Sequence, residues 1–523
     1  MQKTDILVIG SGLAGAIAAI TAADKGRHVT IITKTKELFS GNTPYAQGGI
    51  IYKGLTDSPD KLKKDIMEAG AGHCWEKAVD ELCTKGPRLV TDILINRFGI
   101  IFDRNEESSE FDLTAEGGHS EPRILHTKDN TGYSIQKAVL KELEKHPNIE
   151  HLCDHTVVDL LTLTHHSVNS LDIYEKPACF GVFVLDNNSG SIYPIYASKT
   201  ILATGGLGQI YKHTTNPVET TGDGIALAWR AGARCFNLQY IQFHPTTLFH
   251  DRESFLLSES MRGEGAVLVD KNGRQFMPDF HHLGSLAPRD IVSRGIHQTM
   301  LDTDHPCVYL DISFKNSTWI RERFPNIYNY CKKVGVDITK EPIPVVPAAH
   351  YSCGGVGVSQ RGRTSINRLY AIGEVSCTGV HGANRLASTS LLEAVVWGYN
   401  AGLDAADTSK PRDYFPEIFP WRDADEYIDP ALITQDWTNI KNTMWNYVGL
   451  IRTRRRLERA RTILRHLQTE IENFYQKAKV TKPLLQLRNA VQTAVAVTYA
   501  AYEDPISRGT HYLMEKEIPG SHL

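Results

Sequence analysis

The chain has 523 residues, a length that suits two to four domains. Apolar residues make up 41% and charged residues 22%, and the formal net charge of −3 gives no electrostatic reason to expect nucleic acid or a membrane surface as the main partner. No apolar run approaches a membrane span, and the nine cysteines contain no C-x-x-C pair, so neither a bound metal nor an iron–sulfur cluster is expected.

The first strand starts within a few residues of the N-terminus, leaving no room for a signal peptide, and the scattered thiols suit a reducing cytoplasm. Asp5-Ile6-Leu7-Val8-Ile9 reads as a short buried strand, followed by Gly10-Ser11-Gly12-Leu13-Ala14-Gly15, a G-x-G-x-x-G loop. An alanine-rich helix runs to Lys25-Gly26, and His28-Val29-Thr30-Ile31-Ile32 is the second strand. Glycines at this spacing permit a tight turn and bring the backbone against a pyrophosphate on the helix N-terminus, so this βαβ unit predicts a dinucleotide site. The second strand ends at Thr33-Lys34 with no acid for the ribose hydroxyls. That weakens a plain NAD reading, whereas Lys34 suits a 2′-phosphate and keeps NADP open.

Up to about Tyr240 the chain reads as α/β, with strands between Phe180 and Leu202 joined by a turn at Asp186-Asn187-Asn188-Ser189-Gly190. Thr200-Ile201-Leu202-Ala203-Thr204-Gly205-Gly206 is a second apolar strand running into glycines. From Ile241 to Ala349 proline, glycine and aromatic residues are scattered, with a hairpin turn expected at Val269 to Arg274. Arg368-Leu369-Tyr370-Ala371-Ile372-Gly373-Glu374 is a third strand-to-glycine junction. His381-Gly382-Ala383-Asn384-Arg385-Leu386-Ala387-Ser388-Thr389 then sets a lone arginine in a loop that opens an apolar helix, a way to aim a cation and backbone N–H groups at an anion. A Pro- and acid-rich linker precedes a region of helical periodicity. Its basic run, Arg452 to Arg461, has Leu450, Ile451, Leu457 and Ala460 at helical spacing and reads as a solvated helix face or subunit interface.

Three strand-to-glycine junctions spread over most of the chain resemble FAD-binding oxidoreductases. Further motifs narrow the resemblance: Gly41-Asn42-Thr43-Pro44-Tyr45-Ala46-Gln47-Gly48-Gly49, Thr221-Gly222-Asp223-Gly224, Gln242-Phe243-His244-Pro245-Thr246, Met261-Arg262-Gly263-Glu264-Gly265, Pro288-Arg289-Asp290 and the stretch from His381 to Glu393. In this order they resemble the succinate dehydrogenase/fumarate reductase flavoproteins over nearly the whole chain. The resemblance implies an α/β fold: a Rossmann-like FAD-binding domain (1–240 and 350–406) interrupted by a smaller α+β capping domain (241–349). A linker (407–430) and a C-terminal helical domain (431–523) follow. It also implies that the cofactor contacts are Gly10, Ser11, Gly12, Leu13, Ala14, Gly15, Lys34, Asn42, Thr43, Ala46, Gln47, Gly48, Gly49, Thr204, Gly205, Gly206 and Asp223. Glu374 would meet the ribityl chain, and the helix opening near Ser390 and Leu391 would meet the isoalloxazine.

Two positions bear on the branch of the family. Membrane-complex members carry covalently linked flavin on a histidine five residues before the Gln of A-Q-G-G; here that position is Asn42, which implies non-covalent FAD. The segment His119-Ser120-Glu121-Pro122 resembles the branch that oxidises L-aspartate to iminoaspartate, the first step of de novo NAD biosynthesis through quinolinate. Aspartate differs from succinate by an ammonium, so a site that prefers it benefits from an added anion, and Glu121 is assigned that role. His244 and Thr246 resemble the residues that hold one substrate carboxylate, and His350 and Arg385 those that hold the other. Arg289 matches the arginine that shuttles a proton in fumarate reduction, with Glu259 and Arg262 as relay members. Electrons would pass to O2 or fumarate, and the labile product implies a functional hand-off to quinolinate synthase. The alternative is a soluble fumarate reductase with non-covalent FAD.

Overall fold

The computed structural model describes residues 2–105, 108–250, 255–409, 415–422 and 424–514. Residues 410–414 and 423 of the expected linker, and 515–523 of the expected helical domain, lie outside the described residues.

The fold is α/β and is organised around a seven-stranded sheet. Strand Gln2–Ile9 pairs in parallel with Val29–Ile32 on one side and with Ile192–Leu202 on the other. Ile149–Leu152 and Leu369–Ala371 extend the parallel set, one at each side. Ile6, Leu7, Val8 and Ile9 are all buried, the continuous apolar run expected of a strand covered on both faces. The register aligns Ile9 with Ile32, Leu202 and Ala371, so the strands that carry the three glycine junctions stop at one level. That shared carboxyl edge is where an open α/β sheet binds ligands. Strands Cys179–Asp186 and His155–Thr162 complete the sheet in antiparallel fashion, the first turning through Asn188 and Gly190 into Ile192–Leu202.

Two helices cover one face at unusually close range. Helix Leu13–Asp24 begins in the first glycine loop, and the buried helix Thr389–Thr408 packs along it. A Cβ on Gly398 would sit 2.8 Å from the Ala14 carbonyl oxygen, and one on Gly402 would sit 2.6 Å from that of Ala18. Glycines spaced four residues apart on one face therefore let the two helix backbones approach. This contact carries the loop before Thr389 to the same edge as the G-x-G-x-x-G loop.

A second, five-stranded antiparallel sheet has the order Phe255–Leu256, Ile241–Leu248, Ile343–Ser352, Val308–Asp311, Val267–Val269, with its own apolar core around Leu268, Leu310, Phe324 and Ile343. Val269 bridges Gln275 across the expected turn. Three helices follow near the C-terminus: Pro430–Tyr447, Arg454–Tyr475 and Lys482–Glu503. In the second, Leu457, Ala460, Leu464, Leu467 and Ile471 are buried, while Arg454, Arg455, Arg456 and Arg459 are exposed. From Arg454 to Arg459 the basic run is thus the solvated side of an amphipathic helix, whereas Arg452 is fully buried and donates to the Gly449 and Gln239 carbonyls.

Candidate active site

One continuous cavity opens at the shared strand edge and extends to the five-stranded sheet. Its cofactor end is built mostly from backbone. Gly10 has φ +111°, and a Cβ there would lie 2.2 Å from the Ala203 carbonyl oxygen, so only glycine lets the first two junctions touch. Helix Leu13–Asp24 has no capping side chain on its N-cap residue, Gly12; the Leu13 N–H donates to Thr43 Oγ1 at 3.2 Å, and the N–H groups that follow it in the first turn are left for an anion. Helix Thr389–Thr408 likewise has no side-chain cap; its N-cap residue, Ser388, adopts the left-handed conformation at φ 57°. Lys34 Nζ meets Asp223 Oδ2 at 2.5 Å and donates to Thr221 at 2.9 Å. The acid missing from the end of the second strand is therefore supplied from 189 residues away, and it answers the lysine's charge without a 2′-phosphate.

Glu374 accepts from the Ser352 N–H at 3.1 Å and from the Asn42 amide at 2.8 Å. Burial pushes its carboxyl up to about 7, against the lowering effect of those two donors. The Gln47 Oε1 and Thr204 Oγ1 atoms are buried without a hydrogen-bond partner. These orphaned groups, two uncapped helix starts and a glycine cradle fit a dinucleotide such as FAD. Of the expected cofactor residues, Gly15 and Gly206 lie behind the lining, against the Gly10 carbonyl and the Glu374 carboxylate, and the others line the cavity.

The other end is built from buried charge. Strands Ile241–Leu248 and Ile343–Ser352 are neighbours, which sets His244 and His350 with ring centroids 5.1 Å apart. Burial first, then Arg289 and His350, hold His244 well below the usual histidine range; burial, then Arg385 and Arg289, do the same for His350. Both are neutral hydrogen-bonding groups at physiological pH. Thr215 Oγ1 lies 2.8 Å from His350 Nδ1, leaving Nε2 for a ligand. Arg385 lies 4.3 Å over the Tyr351 ring, donates to Ser390 Oγ at 2.9 Å, and has a buried Nε without a partner. Arg289 pairs with Glu259 and donates to Gln242 Oε1 at 3.2 Å. Glu259 also meets Arg262 at 3.1 Å. Burial raises the Glu259 carboxyl, but the two arginines more than offset it and leave it below its ordinary value.

Thr246 and Arg262 stand behind the lining. The Thr246 hydroxyl donates to the Leu257 carbonyl at 3.1 Å, and its main chain holds His244 Nδ1. Arg262 is fully buried beneath Glu259 and donates to Ser285 O at 2.7 Å. Both hold groups that line the cavity, His244 and Glu259.

Glu121 is misplaced by the sequence reading. Its carboxylate faces away from the cavity, where it meets Lys61 Nζ at 2.5 Å and accepts from Thr56 at 2.9 Å. The glutamate of this loop that does line the cavity is Glu116, which accepts from Ser388 Oγ at 2.7 Å. Strands Leu113–Thr114 and Ile124–Leu125 are antiparallel, so the chain between them doubles back and its two glutamates emerge on different sides. Burial and then the nearby Glu259 raise the Glu116 carboxyl above its ordinary value. The motifs do not single out Glu116, because residue types alone do not say which flank of a reversing loop turns inward.

A family model described as FAD binding domain matches residues 5–391, and one described as fumarate reductase flavoprotein C-term matches 437–517. L-aspartate oxidase 1 of Ralstonia nicotianae is 44% identical over 97% of this chain and 94% of its own length. The L-aspartate oxidase of Pseudomonas aeruginosa is 43% identical over 98% and 95%. The chain belongs to the L-aspartate oxidase family. Among solved structures, the FrdA subunit of E. coli quinol fumarate reductase matches with a TM-score of 0.87 at 27% identity, covering 99% of this chain and 92% of that one. Mycobacterium smegmatis Sdh1 in complex with UQ1 matches at 0.79 and 28%, over 98% and 89%. This chain thus shares its architecture with flavoprotein subunits of fumarate reductase and succinate dehydrogenase.

Proposed function

We propose that the cavity binds L-aspartate with its carboxylates on Arg385, Arg289, His244 and His350 and its ammonium on Glu116, and that the enzyme oxidises it to iminoaspartate. The observation that carries this reading is a charge count. Arg262, Arg289 and Arg385 against Glu116 and Glu259 leave one positive charge, the complement of aspartate at −1. A plain dicarboxylate at −2 matches the same site only with Glu116 protonated. Family membership supports the same activity, the first step of de novo NAD biosynthesis.

Bound FAD would supply the two-electron redox chemistry, with O2 (giving H2O2) or fumarate (giving succinate) as the final electron acceptor. The chain's own residues orient and move protons. The clamp holds Cα–H in one direction, which removes most of the entropic barrier to transfer. Glu116, raised above its ordinary range, is suited to accept a proton from the substrate nitrogen. In the fumarate direction, Arg289 would deliver a proton to carbon, resupplied through Glu259 and Arg262. Arginine is too basic to act as a simple base, which is why a relay is required.

The FAD is held without a covalent bond, since Asn42 offers an amide that is engaged with Glu374. Acid precipitation should release all flavin into the supernatant. No helix among the described residues is long and apolar enough to cross a membrane. A cytoplasmic enzyme would hand its labile product to quinolinate synthase, and a coupled assay with that enzyme should trap more iminoaspartate than the oxidase alone delivers. Domain limits at 1–240 with 350–406, 241–349, 407–430 and 431–523 go with this reading.

The decisive experiment adds L-aspartate, and separately succinate, to air-free protein while flavin absorbance is followed. Bleaching by aspartate alone is expected. Bleaching by succinate alone would replace this reading with that of a fumarate reductase.

A further inference from the structure

His119 links its own loop to a second one, and both reach the substrate end of the cavity. One, 115–123, carries Glu116; the other, 381–390, carries Arg385 and Ser388. His119 Nε2 lies 3.1 Å from the Ala387 carbonyl oxygen, and Nδ1 lies 3.2 Å from Arg123 Nη1. An arginine can only donate, so Nδ1 is the acceptor, the ring proton is on Nε2, and Nε2 donates to Ala387. The tautomer is fixed by geometry. Burial, chiefly, also pulls the imidazole down to about 4, in keeping with a neutral ring.

Behind His119 lies a buried network of ion pairs. Arg123 is fully buried and makes a two-pronged pair with Asp57, Nε to Oδ2 at 2.7 Å and Nη2 to Oδ1 at 2.9 Å. Its Nη1 also pairs with Asp65, which in turn accepts from the Ser120 N–H at 2.9 Å and the Ser120 hydroxyl at 2.8 Å. In front, Ala387 precedes Ser388, whose hydroxyl donates to Glu116. The path from Arg123 through His119, Ala387 and Ser388 therefore closes a ring on Glu116. The His119-Ser120 part of the segment picked out by sequence finds its use here, although Glu121 beside it does not.

We infer that His119 is a positioning residue: by joining the Glu116 loop to the Arg385 loop it sets the distance between the anion and the cation, and so selects an amino dicarboxylate over a plain one. This rests on the aspartate reading of the site given above. A plain dicarboxylate needs only the arginines and histidines; of these only Arg385 lies on a loop that His119 touches, and Arg385 is also held from outside that loop by the Tyr351 ring and by Gln242 on its carbonyl. Aspartate needs Glu116 in register with them, and such constellations tolerate errors of only about 0.5 Å.

Three variants separate this role from a general structural one, with KM measured for aspartate in flavin reduction and for fumarate in reoxidation of the reduced enzyme. His119→Leu removes both hydrogen bonds. It should raise the KM for aspartate about tenfold, the size of one lost buried hydrogen bond, and change that for fumarate by less than about twofold. In His119→Gln the amide N–H reaches the Ala387 carbonyl and should restore most of the loss. In His119→Asn the shorter amide serves only the Arg123 side and should not. Equal rises for both substrates, or rescue by Asn as good as by Gln, would overturn the inference. The Gln–Asn difference still decides if His119→Leu does not fold. An unsubstituted enzyme that aspartate fails to reduce overturns the site reading and this inference together. An enzyme that aspartate reduces, with unchanged KM in His119→Leu, overturns the inference alone.

Discussion

The two ends of the cavity are held together by different forces. At the cofactor end, uncapped helix starts and glycine junctions present main-chain groups, and the few charges are answered locally, Lys34 by Asp223. At the substrate end, five charged side chains are buried within one cluster, and only part of their charge is answered by one another. The first arrangement costs little when a ligand leaves, because N–H groups are neutral donors. The second is strained without a ligand, because each buried charge carries a desolvation penalty that a partner must offset. Specificity should therefore be fragile at the charged end and affinity fragile at the backbone end.

Arg385→Leu tests the charged end most severely. With one carboxylate left unpaired in the site, kcat/KM for aspartate should fall on the order of 10²-fold or more, with FAD still bound. Near-normal turnover would remove Arg385 from the clamp. Gly10→Ala tests the other end, since its Cβ would collide with the Ala203 carbonyl at 2.2 Å. The flavin content of the purified protein should drop to about a tenth or less, because the main chain cannot give way as a side chain can. Retention of a full equivalent of FAD would show that the junction has slack.

Glu116→Gln should cost aspartate oxidation on the order of tenfold to a hundredfold while fumarate reduction changes little, since only the amino substrate uses the anion. Equal losses in both assays would reduce Glu116 to a structural part.

Glu374 sharpens the comparison through pH. Its carboxyl is raised from 4.5 to about 7 in the fold, so its contribution to stability is full below pH 4.5 and is lost as pH rises through about 7. In FAD-free protein, Glu374→Gln should therefore gain up to about 3 kcal/mol relative to wild type between acid and mildly alkaline pH, read from denaturant midpoints. A constant difference across that range would contradict the burial argument. Glu121→Gln should have the smallest effect, less than about twofold on either substrate, since an ion pair at the surface with Lys61 contributes little.

Much of this molecule was legible in its residues. The apolar run before Gly10, the spacing Gly10, Gly12, Gly15 and the two later strand-to-glycine junctions determined the parallel sheet and where its ligand lies, because β-strand burial and tight turns are local consequences of residue type. His244, His350, Arg289 and Arg385 were named from motifs, and the fold brings all four to one end of the cavity. What the sequence could not determine depends on pairs distant along the chain. Asp223 meets Lys34 across 189 residues, and Gly398 and Gly402 meet Ala14 and Ala18 only once two helices pack. The clearest case is the loop between Leu113–Thr114 and Ile124–Leu125. The resemblance pointed to Glu121; only the fold, which sends Glu116 inward to Ser388 and Glu121 outward to Lys61, showed which glutamate reaches the cavity, because a side chain's direction in a reversing loop is set by what the loop packs against.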